Sequence, residues 1–168
     1  MSSSISRAVP SDQEQREHAL NPENSILVQA PAGSGKTDLL TRRFLRLLVE
    51  IEDPAKIVAI TFTKAAAAEM RHRILAKLEN AATQPEPAAD DAFSMEALAH
   101  RAFVHSQVLG WNLLDQPAQL RISTIDSFCR DIALQQPLLS GLGDGLDIFE
   151  NPEELYRRAS RRTTSTAA

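Results

Sequence analysis

The stretch Ser25-Ile-Leu-Val-Gln-Ala-Pro-Ala-Gly-Ser-Gly-Lys-Thr37 constrains this chain more than any other. The apolar run Ile26–Val28 predicts a buried strand. A small-residue, glycine-bearing turn follows, and Lys36-Thr37 then opens an amphipathic run from Leu39 to Val49. Strand, glycine loop, Lys-Thr and helix in that order make an anion cradle. Gly33 and Gly35 tolerate the dihedrals that turn successive backbone N–H groups inward, and no side chain stands in the way. The helix start adds unpaired N–H groups and its positive dipole end. The pattern predicts that Ala30, Pro31, Ala32, Gly33, Ser34 and Gly35 surround the phosphates of a nucleotide. Lys36 reaches the β- and γ-phosphates, and the hydroxyl of Thr37 ligates Mg²⁺. Lys36 and Thr37 are thus the candidate catalytic pair, with Thr37 also the candidate metal ligand. The template is Gly-x-x-x-x-Gly-Lys-Ser/Thr, and its first glycine is replaced here by another small residue, Ala30.

A length of 168 residues allows one domain with a sizeable core. The net charge of −4 gives no global basic field, so any contact with a polyanion has to be local. The single cysteine, Cys129, excludes an internal disulfide and a cysteine-built metal site, and on its helix it is expected to be a small buried hydrophobe. No apolar run approaches the roughly 20 residues needed to span a bilayer. The N-terminus lacks the apolar core of a secretory signal, which makes the cytoplasm the expected compartment.

In order, residues 1–11 read as a loose tail. Ser11-Asp-Gln-Glu14 is a capping-box pattern for a short helix from about Asp12 to Leu20, broken by Asn21-Pro22. The helix after the glycine loop should run to about Glu50, with Leu39, Leu40, Phe44, Leu47 and Leu48 at helical spacing. Ile57–Phe62 reads as a strand covered on both faces. Lys64 to about Asn80 reads as a long helix, residues 81–91 as a Pro- and acid-rich loop, and Phe93 to about Val108 as a further helix. Leu120–Ile125 is a third strand, and Asp126 or Ser127 should cap the helix behind it. Gly141, Gly143 and Gly145 lie in a connection, and Asn151-Pro152 opens a last helix. His18, His72, His100 and His105 lack metal-ligand spacing, and Trp111 reads as a packing anchor. Alternating strands and helices imply a parallel α/β sheet, with ligands at the carboxyl ends of the strands. The phosphate loop, Thr61-Phe62-Thr63 and Thr124-Ile125-Asp126 all fall at such ends. Hydroxyls beside an aromatic at a strand end suit phosphate contact and stacking on an unpaired base.

Three stretches, in the right order, resemble the UvrD/Rep-type DNA helicases and within them the RecB/AddA-like nuclease-helicase branch. The first is the glycine loop. The second, Ile60-Thr-Phe-Thr-Lys-Ala-Ala-Ala-Ala-Glu-Met-Arg71, is similar to the family's Thr-Phe-Thr-(Asn/Arg)-Lys-Ala-Ala-Ala-Glu-Met-Arg. The third, Ser123-Thr-Ile-Asp-Ser-Phe-Cys129, is similar to the branch's Thr-Ile-His-Ser-Phe-Cys. The resemblance implies an incomplete RecA-like parallel sheet flanked by helices over residues 12–140. Residues 141–168 would then be a linker and the start of a helical subdomain. It implies ATP and Mg²⁺ as cofactors, and Gln15, at the family's spacing from Lys36, as the reader of adenine, with Gln13 the less favoured alternative. An amide acceptor and donor match adenine's N6 and N7. Arg43 sits where the family's first helix carries an arginine near the nucleotide. Thr61, Phe62, Thr63, Lys64, Ser127 and Phe128 become the contacts to single-stranded DNA, with Arg71 adding local positive charge. The positive charge at Lys64 stands one position away from the family's lysine, and Asp126 stands where the branch has His.

ATP hydrolysis in such motors needs an acidic strand end and arginines on the transferring phosphoryl group. No apolar run ending in Asp-Glu occurs in these 168 residues. The resemblance therefore implies an N-terminal piece of a longer helicase that does not unwind DNA alone, with an unpaired apolar sheet edge and marginal stability. Its partners would be single-stranded DNA in the parent protein and a second nuclease-helicase subunit, with no membrane. A stand-alone small P-loop phosphotransferase and a non-catalytic interaction or remnant protein are the two other readings.

Overall fold

A computed structural model describes residues 12–87 and 92–135, together with Glu153, Tyr156 and Arg157. Its helices are α1 (Gln13–Ala19), α2 (Lys36–Leu48), α3 (Lys64–Thr83), α4 (Met95–Val108) and α5 (Ile125–Gln135). Its strands are β1 (Val58–Thr61) and β2 (Arg121–Thr124). The chain divides into two compact units, Met1–Phe128 and Cys129–Ala168, and the site described below lies in the first. Of the expected last helix, Glu153, Tyr156 and Arg157 are helical and exposed. The glycines at 141, 143 and 145 lie outside the described residues.

The fold is α/β, with a two-stranded parallel sheet flanked by helices. The strands pair in the register Val58↔Arg121, Ala59↔Ile122, Ile60↔Ser123 and Thr61↔Thr124, so their carboxyl ends lie side by side. The core is built where α3 packs on α4 and on β2, and where α2 packs on α4. Leu45 and Leu48 of α2, Ile74 and Leu78 of α3, and Leu98 of α4 are fully buried. Ala99 and Ala102, one helical turn apart on α4, are buried too, and their small side chains let the neighbouring helices approach. Side-chain caps start three helices. Thr63 Oγ1 accepts from the Ala66 amide at 3.1 Å, Ser94 Oγ from Ala97 at 3.1 Å, and Thr124 Oγ1 from Ser127 at 3.2 Å. Trp111 is the anchor its surroundings suggested. It packs partly buried against the core, stands edge-on to His105 at 5.4 Å, and donates its indole N–H to the Glu52 carbonyl at 3.2 Å.

Several sequence expectations are corrected. Residues 26–28 form no strand and have no ladder partners, and Leu27 is 93% exposed. The two-stranded sheet leaves one outer edge open on each strand, and residues 26–28 pair with neither. Strand β1 is not covered on both faces, because Val58 and Ile60 are exposed while α3 lies against the sheet. On α2 the inward face takes Leu45 in place of Leu40, which is 49% exposed. Thr124, not Asp126 or Ser127, caps α5, because the strand passes into the helix without an intervening residue. Cys129 is exposed. At α1 the residue at the cap position, Asp12, makes no side-chain cap, since its carboxylate faces Arg16 at 2.9 Å. Ser11 lies outside the described residues.

Candidate nucleotide-binding site

The glycine loop closes as a turn in which the Ser34 hydroxyl donates to the Pro31 carbonyl at 2.8 Å. Gly33 and Gly35 have φ of 78° and 85°, the left-handed region that a side chain makes costly. Gly35 is the residue from which α2 starts, so the helix's first amides face the loop. Lys36 Nζ donates to the carbonyls of Ala30 at 2.6 Å and Pro31 at 2.5 Å. The ammonium thus lies back along the loop, where carbonyl oxygens hold it and where phosphate oxygens would compete for it.

A cavity of about 180 Å³ opens beside this loop. Its walls are Asp12, the α1 residues Gln15, Arg16 and Ala19, residues 26–30, and Ser34, Gly35, Lys36 and Leu39. Gln15 and Lys36 therefore face one space, although twenty residues separate them in the chain. Two arginines hold this arrangement. Arg16 donates from Nε to Asp12 at 2.9 Å and from a terminal nitrogen to the Ser34 carbonyl at 3.0 Å. The guanidinium beside Asp12 holds that carboxyl below the usual carboxylate range. Arg43 of α2 donates to three carbonyls at and just after the end of α1, those of Ala19 at 2.5 Å, Asn21 at 3.0 Å and Asn24 at 2.7 Å. It is not among the residues that line the cavity, and its bonds brace the end of α1 against α2.

Thr37 is exposed at the first turn of α2, and its carbonyl accepts from Thr41 Oγ1 at 2.8 Å. No group of three His, Cys, Asp or Glu that could hold a metal occurs among the described residues. A cation here would rest on Thr37 and on oxygens of the nucleotide itself. Loop dihedrals, the inward lysine and the cavity between loop and amide are compatible with an adenine nucleotide and its Mg²⁺.

The strand ends form a second cluster. Thr61 and Thr124 are register partners, Phe62 is 89% exposed, and Thr63 and Lys64 are exposed at the start of α3. Ser127 Oγ accepts from Thr124 Oγ1 at 3.0 Å and keeps its own proton to donate. Phe128 is half-buried, with the Arg121 guanidinium 6.0 Å from its ring centre. Arg71 turns inward, donating to the Ile122 carbonyl at 2.5 Å, and is not a solvated surface charge. None of these residues lines the cavity at the loop. Sequence reasoning missed the Arg16 bond to Ser34, the brace made by Arg43 and the Arg121–Phe128 contact. Each depends on a long side chain crossing between elements, which no spacing rule records.

Residues 11–165 match the UvrD/REP helicase N-terminal domain. The chain belongs to this family. An AddA-type component of an ATP-dependent helicase/nuclease from Lactobacillus gasseri is 35% identical over 119 residues, 70% of this chain and 8% of that protein. The same-named protein of Clostridium perfringens is 32% identical over 144 residues, 83% of this chain and 10% of that protein. DNA helicase II of Salmonella typhimurium is 56% identical over 61 residues, 36% of this chain and 8% of that protein. The chain thus spans about a tenth or less of each of these relatives. No solved structure matches it. The match takes in the glycine loop and the Thr-Phe-Thr stretch at the end of β1. No helix among its described residues is long and apolar enough to cross a membrane.

Proposed function

We propose that this chain is the N-terminal, ATP-binding part of a UvrD-type ATP-dependent DNA helicase. It binds ATP–Mg²⁺ and lends its strand ends to the path of single-stranded DNA, in the cytoplasm, and does not unwind DNA alone. The observation that carries the reading is the cavity shared by Gln15 and Lys36. One wall offers an amide that can accept from and donate to an adenine edge. Another offers loop amides and an ammonium for a polyphosphate. In this reading Ala30, Pro31, Ala32, Gly33, Ser34 and Gly35 wrap the phosphates, and Lys36 leaves its carbonyls for the β- and γ-oxygens. Thr37 holds Mg²⁺, which neutralises charge on the phosphates. Arg43 positions α1 instead of touching the nucleotide. Thr61, Thr63, Lys64 and Ser127 supply donors to the DNA backbone. Phe62, exposed at the end of β1, is the stacking platform, and Phe128 of α5 is a second aromatic contact. Two of the relatives are by name one component of a multi-component helicase/nuclease, which supports a second such component in partnership with the full-length protein.

Titration of a fluorescent ATP analogue in the presence of Mg²⁺ tests the nucleotide half. Lys36→Ala should weaken binding at least about tenfold, and Gln15→Ala should erase a preference for ATP over GTP. Binding unchanged in Lys36→Ala refutes the reading. For the DNA half, Phe62→Ala should leave the melting temperature in place and reduce the affinity for an oligo-dT strand. Unaltered affinity removes Phe62 from the path.

A further inference from the structure

We propose that Arg16 is a second cationic ligand of the nucleotide, contacting the inner phosphates, which ATP and ADP share. The proposal rests on the nucleotide-binding reading above. Charged side chains on the cavity wall are Asp12, Arg16 and Lys36, so Arg16 is the one cation besides Lys36 that faces this space among the described residues.

Its guanidinium is held at two points. Nε is bound to Asp12 at 2.9 Å and one terminal nitrogen to the Ser34 carbonyl at 3.0 Å. The other terminal nitrogen, Nη1, lies 3.4 Å from where a side chain on Gly35 would begin. That nitrogen makes no hydrogen bond among the described residues and stands over the last turn of the phosphate loop. Its geometry is fixed in advance, because a planar fork bound on two of its edges keeps its third edge in place. The side chain is 28% exposed, so the charge is only partly screened.

The placement also says which phosphates it meets. Arg16 follows Gln15 on α1, and both face the cavity. A nucleotide with its base at Gln15 passes its inner phosphates by Arg16 before its outer ones reach Lys36. Asp12 opposes an incoming phosphate by its charge. It is already paired with Arg16, and its carboxylate is 43% exposed, so its repulsion is the more screened of the two effects. Asp38, the other acid near the guanidinium, is paired with Arg42 at 2.9 Å.

The test compares three probes, ATP, ADP and adenosine, each displacing a fluorescent ADP analogue from the full chain at fixed Mg²⁺. Arg16→Ala should weaken ATP and ADP equally, by about tenfold, and leave adenosine unchanged. Arg16→Lys, which keeps the charge and loses the fork, should recover only part of the loss. Far-ultraviolet circular dichroism checks that each variant keeps its helices. A variant that loses helix content is replaced by the milder Arg16→Gln, for which the same equal loss of ATP and ADP is expected. Three results overturn the proposal. These are ATP and ADP affinities within about twofold of the parent, an equal loss for adenosine, which marks a structural role, and a loss for ATP alone, which places the contact at the outer phosphate. If the parent chain binds none of the probes, the nucleotide-binding reading itself fails, and this proposal with it.

Discussion

Replacing Arg43 with alanine should release α1 from the rest of the site. One guanidinium on α2 holds three carbonyls at and just after the end of α1, at 2.5, 3.0 and 2.7 Å. A hydrogen bond from a charged donor contributes about 1.5–3 kcal/mol when both partners are dry. These carbonyls are partly open to water and would be rehydrated, so about 1 kcal/mol each is the better figure, or about 3 kcal/mol together. What remains is slight. Helix α1 has seven residues, too few to be stable alone, and its other anchors are the buried side chains of Ala19 and Leu20 and the single bond from Arg16 to the Ser34 carbonyl at 3.0 Å. The loss should therefore appear as local opening. A change of about 3 kcal/mol corresponds to roughly a hundredfold faster amide exchange over residues 13–20. Exchange over α4 should remain as in the parent. Hydrogen–deuterium exchange with mass spectrometry resolves the two regions. Arg43→Lys should behave nearly like alanine, since an ammonium cannot span three separated carbonyls. Nucleotide selectivity should fall with the exchange protection, because Gln15 is carried on α1. Exchange over residues 13–20 unchanged in Arg43→Ala would show that the three bonds do not hold the helix.

Other expectations follow from single positions. Leu45 is wholly buried between helices, and Leu45→Ala should cost about 2–5 kcal/mol, read as a lowered urea midpoint. Gly35 sits at φ 85°, and an added Cβ would stand 3.4 Å from Arg16; Gly35→Ala should destabilise by about 1–2 kcal/mol and weaken ATP binding more than Gly33→Ala, which meets nothing within 4 Å. Burial works against the Glu96 carboxylate, but its own helix-start amide and Lys77 at 3.2 Å outweigh it and hold its pKa below the usual value. A carboxyl depressed in the folded state contributes stability above its unfolded pKa and loses it as pH falls through the folded one. The melting temperature should thus drop as pH falls below about 4.3, and less steeply in Glu96→Gln. An equal slope in the variant would remove Glu96 from the acid transition. The pair is largely solvent-exposed, so the difference should be small.

The elements that local chemistry specifies were legible in the sequence. The glycine loop, the Lys36 helix start, the long helix from Lys64, and the two strands that carry Thr61 and Thr124 at their ends all depend on neighbours a few residues away. Backbone dihedrals, capping and periodicity act at that range, so composition and spacing suffice to read them. Family membership was legible for the same reason, since three short motifs in order carry it. The tertiary structure decided what depends on a partner distant in the chain. Residues 26–28 are apolar enough for a strand but pair with neither outer edge of the two-stranded sheet, and Leu27 faces solvent. Leu45 and Leu40 are equally apolar, and only the packing of α2 against the other helices makes Leu45 the buried one. Arg16, Arg43 and Arg71 look alike as surface charges in a sequence, yet each reaches a backbone carbonyl on another element. A guanidinium at the end of a long flexible side chain has its role fixed by where the acceptor lies in space.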